Sequence, residues 1–186
     1  MPKALLLMGL QNDILTKHNV DSSIINNING CIKYAHTHGI LSVLCLEIHH
    51  SKHMSFIEQG GNYPPHCIIG TWGKDIPGII QVGLTCNMEQ VVRGIYKEYD
   101  SNNAFYYAKS NGYEESSNLH ALLRQHQVTD VYICGFHIDN AIIETYETSL
   151  KLGYNTHILR DCTQSLPSSI TTCHSTYFRG VAVDDT

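Results

Sequence analysis

The sequence predicts an α/β fold: a doubly wound, mainly parallel sheet with helices on both faces. Three observations lead to it. Short apolar runs of strand length, such as Ala4-Leu5-Leu6-Leu7-Met8 and Val131-Tyr132-Ile133-Cys134, alternate with longer segments whose apolar residues recur at helical spacing. The segments between successive strands are long enough to hold a crossover helix, which parallel pairing requires. No repeat, linker or low-complexity tract interrupts the alternation.

The elements follow in order. The first strand ends at Gly9, and a polar turn, Gln11-Asn12-Asp13, follows. Asp21 caps a helix running to about His38, with Ile24, Ile25, Ile28, Ile32 and Ala35 as its apolar stripe and Gly39 as its stop. Ser42 to Leu46 is a second buried strand. From Ile48 to Asp75 the chain is rich in His, Gly and Pro without a sustained period, so a long loop is expected, and loops of that length in compact domains are usually functional. Val91-Val92 leads a third, short strand. Ser116 or Ser117 opens a helix to about Gln125, followed by the Val131 to Cys134 strand. Asp139 caps a helix to about Leu152, closed by Gly153, and Asn155 to Leu159 is a further strand. Ligands in such sheets sit beyond the carboxyl ends of the strands, where Gly9, Glu47, Arg93 and the Gly135 to Ala141 turn fall.

Composition sets the outer bounds. A chain of 186 residues with 42% hydrophobic content supports one well-buried core, so a single domain over residues 1–186 is expected. Seventeen acidic residues against twelve Lys and Arg, a formal charge of -5 and no basic stripe argue against nucleic-acid binding. The seven cysteines lie at positions 31, 45, 67, 86, 134, 162 and 173 without a Cys-x-x-Cys pair, the pattern of reduced thiols in a cytoplasmic protein. The first apolar run is too short for a membrane span or a signal peptide.

Several segments carry a resemblance. Ala4 to Asp13 reads as an apolar run into Gly9-Leu10-Gln11-Asn12-Asp13, and Glu47-Ile48-His49 precedes the block Tyr63-Pro64-Pro65-His66-Cys67-Ile68-Ile69-Gly70-Thr71-Trp72-Gly73. Arg93-Gly94, then Asp100-Ser101-Asn102-Asn103-Ala104-Phe105, then Gly135-Phe136-His137-Ile138-Asp139-Asn140-Ala141 complete the series. In this order they resemble the isochorismatase-like cysteine hydrolases, closest to nicotinamidase and pyrazinamidase. The resemblance implies an Asp base, a Lys and a Cys nucleophile acting on an amide carbonyl. Those positions hold Gly9, Arg93 and Ala141 here. Glycine has no proton acceptor, alanine no nucleophile, and arginine no usable deprotonated form. Cys67 and Cys134 lie near the expected pocket without a base partner and are read as buried, unreactive thiols.

The resemblance also implies a metal set of Glu47, His49 and His66, a carboxylate and two imidazoles that suit zinc with positions left open. Glu47 is one methylene longer than the family's Asp, so the carboxylate must retract or the metal shift. His53 is a candidate extra ligand. Tyr63 and Phe105 stand where family aromatics flank the substrate ring, and His137 occupies the turn that supplies an oxyanion-hole N–H, from which its side chain could enter the vacated site.

The implied function is a nicotinamidase-like pseudoenzyme with a ligand-binding, regulatory or assembly role, taking a small nicotinamide-like heterocycle or a protein partner, a second copy of the chain included. The alternative is a hydrolase using metal-activated water, with Glu47, Glu98 or His137 assisting.

Overall fold

The computed structural model describes residues 1–84, 87–100, 103–109, 111–136, 141–164, 166, 170 and 172–180. In chain order its elements are β1 Lys3–Met8, α1 Asn12–His18, α2 Ser22–Thr37, β2 Leu41–Glu47, β3 Met88–Arg93, β4 Tyr99–Asp100, β5 Tyr106–Lys109 and β6 Glu114–Ser116. These are followed by α3 Leu119–Gln125, β7 Asp130–Gly135, α4 Ala141–Lys151, β8 Asn155–Thr163, β9 Thr172–Cys173 and α5 Ser175–Phe178.

The central sheet has six strands in the order β3-β2-β1-β7-β8-β9, all parallel. Strand order runs outward from β1 in one direction and from β7 in the other, so the topological switch point lies between them. Alternation in β1 explains why both faces must be covered. Leu5 and Leu7 join Leu44, Tyr132, Cys134 and Leu159 on the face that α2 covers with Ile25, Ile28, Cys31, Ile32 and Ala35. Ala4, Leu6 and Met8 join Val43, Cys45, Val91, Val131, Ile133 and Ile158 on the opposite face, against Leu119 and Leu123 of α3 and Ala141 and Ile142 of α4.

The expected elements are all present. The Asp21 carboxylate accepts the Ser23 N–H at 2.8 Å, and Gly39 closes α2 at φ +63°. The Asp139 cap lies outside the described residues. Residues 48–75 form a long irregular connection with only two single 3-10 turns, Ile57–Gln59 and Trp72–Lys74. Three features were not expected. Helix α1 is too short to show a periodic stripe, although Ile14 and Leu15 are buried. The antiparallel sheet β4-β5-β6 comes from a stretch in which no apolar alternation announces it; Glu114–Ser116 is its edge rather than a helix start. Strand β9 and helix α5 complete the β8 side of the sheet.

Candidate functional site

The polar turn after β1 builds the site's frame. Gln11 is fully buried, and its Nε2 donates to the Glu47 carbonyl at 2.6 Å and the Lys74 carbonyl at 2.8 Å, while its Oε1 accepts the Glu47 N–H at 2.7 Å. Asn12 Nδ2 donates to the Trp72 carbonyl at 2.8 Å, and Asp13 Oδ2 accepts the Cys67 N–H at 2.7 Å. Three consecutive side chains thus fasten the end of β2 and the returning arm of the long loop to the start of α1, satisfying backbone groups that the irregular loop leaves open. Sequence reasoning did not assign these roles. The signal was there: three amide and carboxylate side chains directly after a buried strand.

The carboxylate and imidazoles converge at the carboxyl edge of the sheet. One ligand atom each from Glu47, His49 and His66 lies within 4.8 Å of the others. His66 Nε2 is 3.1 Å and His49 Nε2 3.7 Å from Glu47 Oε2. Each ring turns its other nitrogen to a backbone carbonyl: His49 Nδ1 to Gly94 at 3.2 Å and His66 Nδ1 to Pro64 at 2.9 Å. With the Gly94 carbonyl as acceptor, His49 carries its proton on Nδ1 and turns its Nε2 lone pair to the cluster, whereas His66 meets an acceptor at each nitrogen, so as a neutral ring with Nδ1 protonated it sets its Nε2 lone pair against Glu47 Oε2, an arrangement that suits a cation between them. Gly94, at φ +74°, makes the arrangement possible, because a Cβ there would lie 2.3 Å from the His49 ring.

Burial, then the neighbouring His66, lowers the His49 pKa to about 4, and burial lowers that of His66 as well, so both rings are neutral at physiological pH. The donor set fits a zinc-like ion: neutral imidazoles, one carboxylate, and a buried His49 Nε2 with no hydrogen-bond partner among the described residues. His53 lies outside this set, because Ser55 Oγ engages its Nδ1 at 2.7 Å and the Tyr99 carbonyl its Nε2 at 2.6 Å.

The extra methylene of Glu47 is accommodated by sharing. Glu47 and Arg93 are register partners at the ends of β2 and β3, and Glu47 Oε1 forms an ion pair with Arg93 Nη2 while Oε2 faces the imidazoles. Burial lowers the Arg93 pKa to about 10, against the raising influence of Cys45, Asp100 and Glu144, so the guanidinium remains charged.

At the switch point β1 and β7 interlock through two glycines. A Cβ on Gly9, whose φ is +62°, would lie 2.1 Å from the Phe136 carbonyl oxygen. A Cβ on Gly135 would lie 1.9 Å from the Met8 carbonyl oxygen. Ala141 is the first residue of α4, buried on the α4 side of the sheet, and its carbonyl accepts the Thr145 hydroxyl at 2.7 Å.

The aromatic expectations divide. Tyr63 is half-buried beside His66, with ring centroids 6.2 Å apart. Phe105, expected as a pocket wall, is instead a core side chain at 1% exposure, stacked on Tyr154 with centroids 6.5 Å apart. Asn103 Oδ1 holds its N–H and its carbonyl accepts the Ser117 N–H, which turns the ring inward. His137 lies outside the described residues, and Glu98 is exposed. Cys67 and Cys134 are buried thiols, with burial the leading cause pushing Cys67 up to about 12 and Cys134 well above its ordinary value; neither offers a thiolate.

A model of the isochorismatase domain matches residues 3–179. The chain belongs to the isochorismatase family. Among its relatives, the nicotinamidase of Escherichia coli is 24% identical over 180 residues, covering 86% of this chain and 82% of that protein. Pyrococcus horikoshii pyrazinamidase, solved in complex with zinc, superposes with a TM-score of 0.74 at 25% identity, covering 90% of this chain and 89% of its own. The PnC1 protein of L. infantum, solved in complex with nicotinate, gives a TM-score of 0.75 at 22% identity, covering 96% and 86%. The six-stranded parallel sheet with flanking helices is therefore the isochorismatase-like α/β fold. Among the described residues no helix is long and apolar enough to cross a membrane.

Proposed function

We propose that this isochorismatase-family chain, acting as a single cytoplasmic domain over residues 1–186, binds a small nicotinamide-like heterocycle without hydrolysing it. The observation that carries this reading is at Gly9. The position expected to bear the base has no side chain, and the space its Cβ would need is filled by the Phe136 carbonyl. The path of the backbone leaves no room for a side chain at this position. Ala141 at the head of α4 has no atom that could attack a carbonyl, and Cys67 and Cys134 are held protonated by burial. Arg93, at the expected lysine position, is committed to Glu47.

Three converging side chains support binding. Glu47, His49 and His66 would hold a divalent ion, zinc being the best match to one carboxylate and two imidazoles. Such an ion would supply a Lewis-acidic point for the lone pair of a ring nitrogen, with Tyr63 beside His66 as a flat neighbour for the ring.

The test is turnover set against binding. Purified protein with zinc is incubated with nicotinamide or pyrazinamide, and ammonia is measured. No release above a heat-denatured control is expected, since losing such a nucleophile costs several orders of magnitude. The same compounds, and nicotinate, should raise the melting temperature of the zinc-treated protein. Ammonia release at an ordinary enzymatic rate, lost on substituting Glu47 or His66, would overturn the reading and favour hydrolysis through activated water.

A further inference from the structure

The Glu47–Arg93 pair has a consequence for the candidate metal site. Both residues end their strands and face each other in register, so the sheet itself brings the carboxylate and the guanidinium together. Both side chains are more than nine-tenths buried, so water screens the pair little. The carboxylate is divided, Oε1 holding Arg93 and Oε2 facing His49 and His66. A divalent ion at the imidazoles would share the Glu47 carboxylate with a resident positive charge a few ångströms away, one that Asp100 and Glu144 also act on.

We propose that Arg93 is a resident counter-cation that competes with the metal for Glu47, so that the site takes up a divalent transition-metal ion weakly and reversibly rather than holding it as a permanent cofactor. This rests on the metal reading given above. The sign of the effect separates it from a purely orienting role. A partner that only orients a metal-binding carboxylate strengthens binding, and its removal typically costs about 10 to 100-fold in affinity. A competing cation does the reverse. Repulsion between a divalent ion and a guanidinium sharing a dehydrated carboxylate is only weakly screened, so here it outweighs the orientation gained. Arg93 also restricts Glu47 to one oxygen on the imidazole side, which suits the four-coordinate habit of zinc more than ions that prefer chelating carboxylates.

The experiment measures zinc affinity of the full chain, stripped with a chelator, by competition with a chromophoric chelator, with cobalt(II) absorption as a second report on the ligand set. Arg93→Met should bind zinc at least about tenfold more tightly than wild type, whereas Arg93→Lys, which keeps the charge, should stay within about threefold. Arg93→Gln, neutral but able to hydrogen-bond Glu47, should also bind more tightly and serves if the methionine variant does not fold without metal. Unchanged or weaker zinc binding by the neutral variants, or equal changes in Arg93→Lys and Arg93→Met, would overturn the competition.

Glu47→Gln isolates the underlying reading. It should weaken zinc binding by more than about tenfold and alter the cobalt spectrum. Wild-type protein that binds no zinc, or a Glu47→Gln variant that binds as wild type does, would overturn the metal reading itself and the Arg93 proposal with it.

Discussion

Gly9→Ala and Gly9→Asp test whether the backbone leaves room for a side chain at position 9. Either substitution places a Cβ 2.1 Å from the Phe136 carbonyl oxygen and 2.9 Å from its carbon, at a φ of +62°. Adopting the left-handed region costs a non-glycine residue about 1–2 kcal/mol. Forcing the end of β7 aside in a close-packed interior adds about 1–3 kcal/mol. The sum, roughly 2–5 kcal/mol, is a large part of the 5–15 kcal/mol typical of a folded domain. For a chain of this length about 3 kcal/mol lowers the melting temperature by roughly 10 °C. Circular dichroism melts and urea unfolding of the three proteins would measure it. Aspartate tolerates the left-handed region better than alanine, so Gly9→Asp should lose slightly less than Gly9→Ala, and both should lose most of the expected amount because the Cβ is common to them. If either variant melts within about 1 °C of wild type, position 9 is open and the argument from the Phe136 carbonyl fails.

Three further outcomes are expected. Gln11→Ala strips partners from the Glu47 N–H and the Glu47 and Lys74 carbonyls, and at about 1–3 kcal/mol for each of the two buried Glu47 groups left unpaired it should cost roughly 2–6 kcal/mol in urea unfolding and weaken zinc binding. Gly94→Ala sets a Cβ 2.3 Å from the His49 ring at φ +74°, so zinc affinity should fall by more than about tenfold with a visible loss of stability; normal affinity would show that His49 need not lie against that backbone. The chelator-treated protein should lose stability as pH falls from about 6.5 to about 4. His49 takes up a proton in that window when unfolded and not when folded, so the unfolded state binds more protons, and the contribution is fully present only above the upper limit. The drop is at most about 3 kcal/mol from His49, with His66 adding in the same direction, and His49→Gln should flatten the slope of unfolding free energy against pH.

The architecture was legible because it rests on local pattern. The apolar run from Ala4 to Met8, the stripe from Ile24 to Ala35, and the Asp21 and Gly39 punctuation each act within a few residues, and the structure realises them within one or two positions. The resemblance placed Glu47, His49 and His66 together because the spacing of such blocks follows strand ends. Helix α1 and the β4-β5-β6 sheet escaped notice because their stability comes from what they pack on rather than from their own periodicity.

What the sequence by itself determined was the parallel α/β sheet; Gly9 and Ala141, as residue types, offer neither a base nor a nucleophile. Tertiary structure decided the rest. That His53 is tied to Tyr99, that Phe105 turns into the core, that Gln11 braces Glu47, that Arg93 shares the Glu47 carboxylate, and that the Phe136 carbonyl fills the space beside Gly9 are all contacts between strands and loops far apart in the chain. Residue type fixes what a side chain can donate, accept or fill. Which partner it meets depends on distances of a few ångströms set only when the sheet has closed, and no local spacing encodes them.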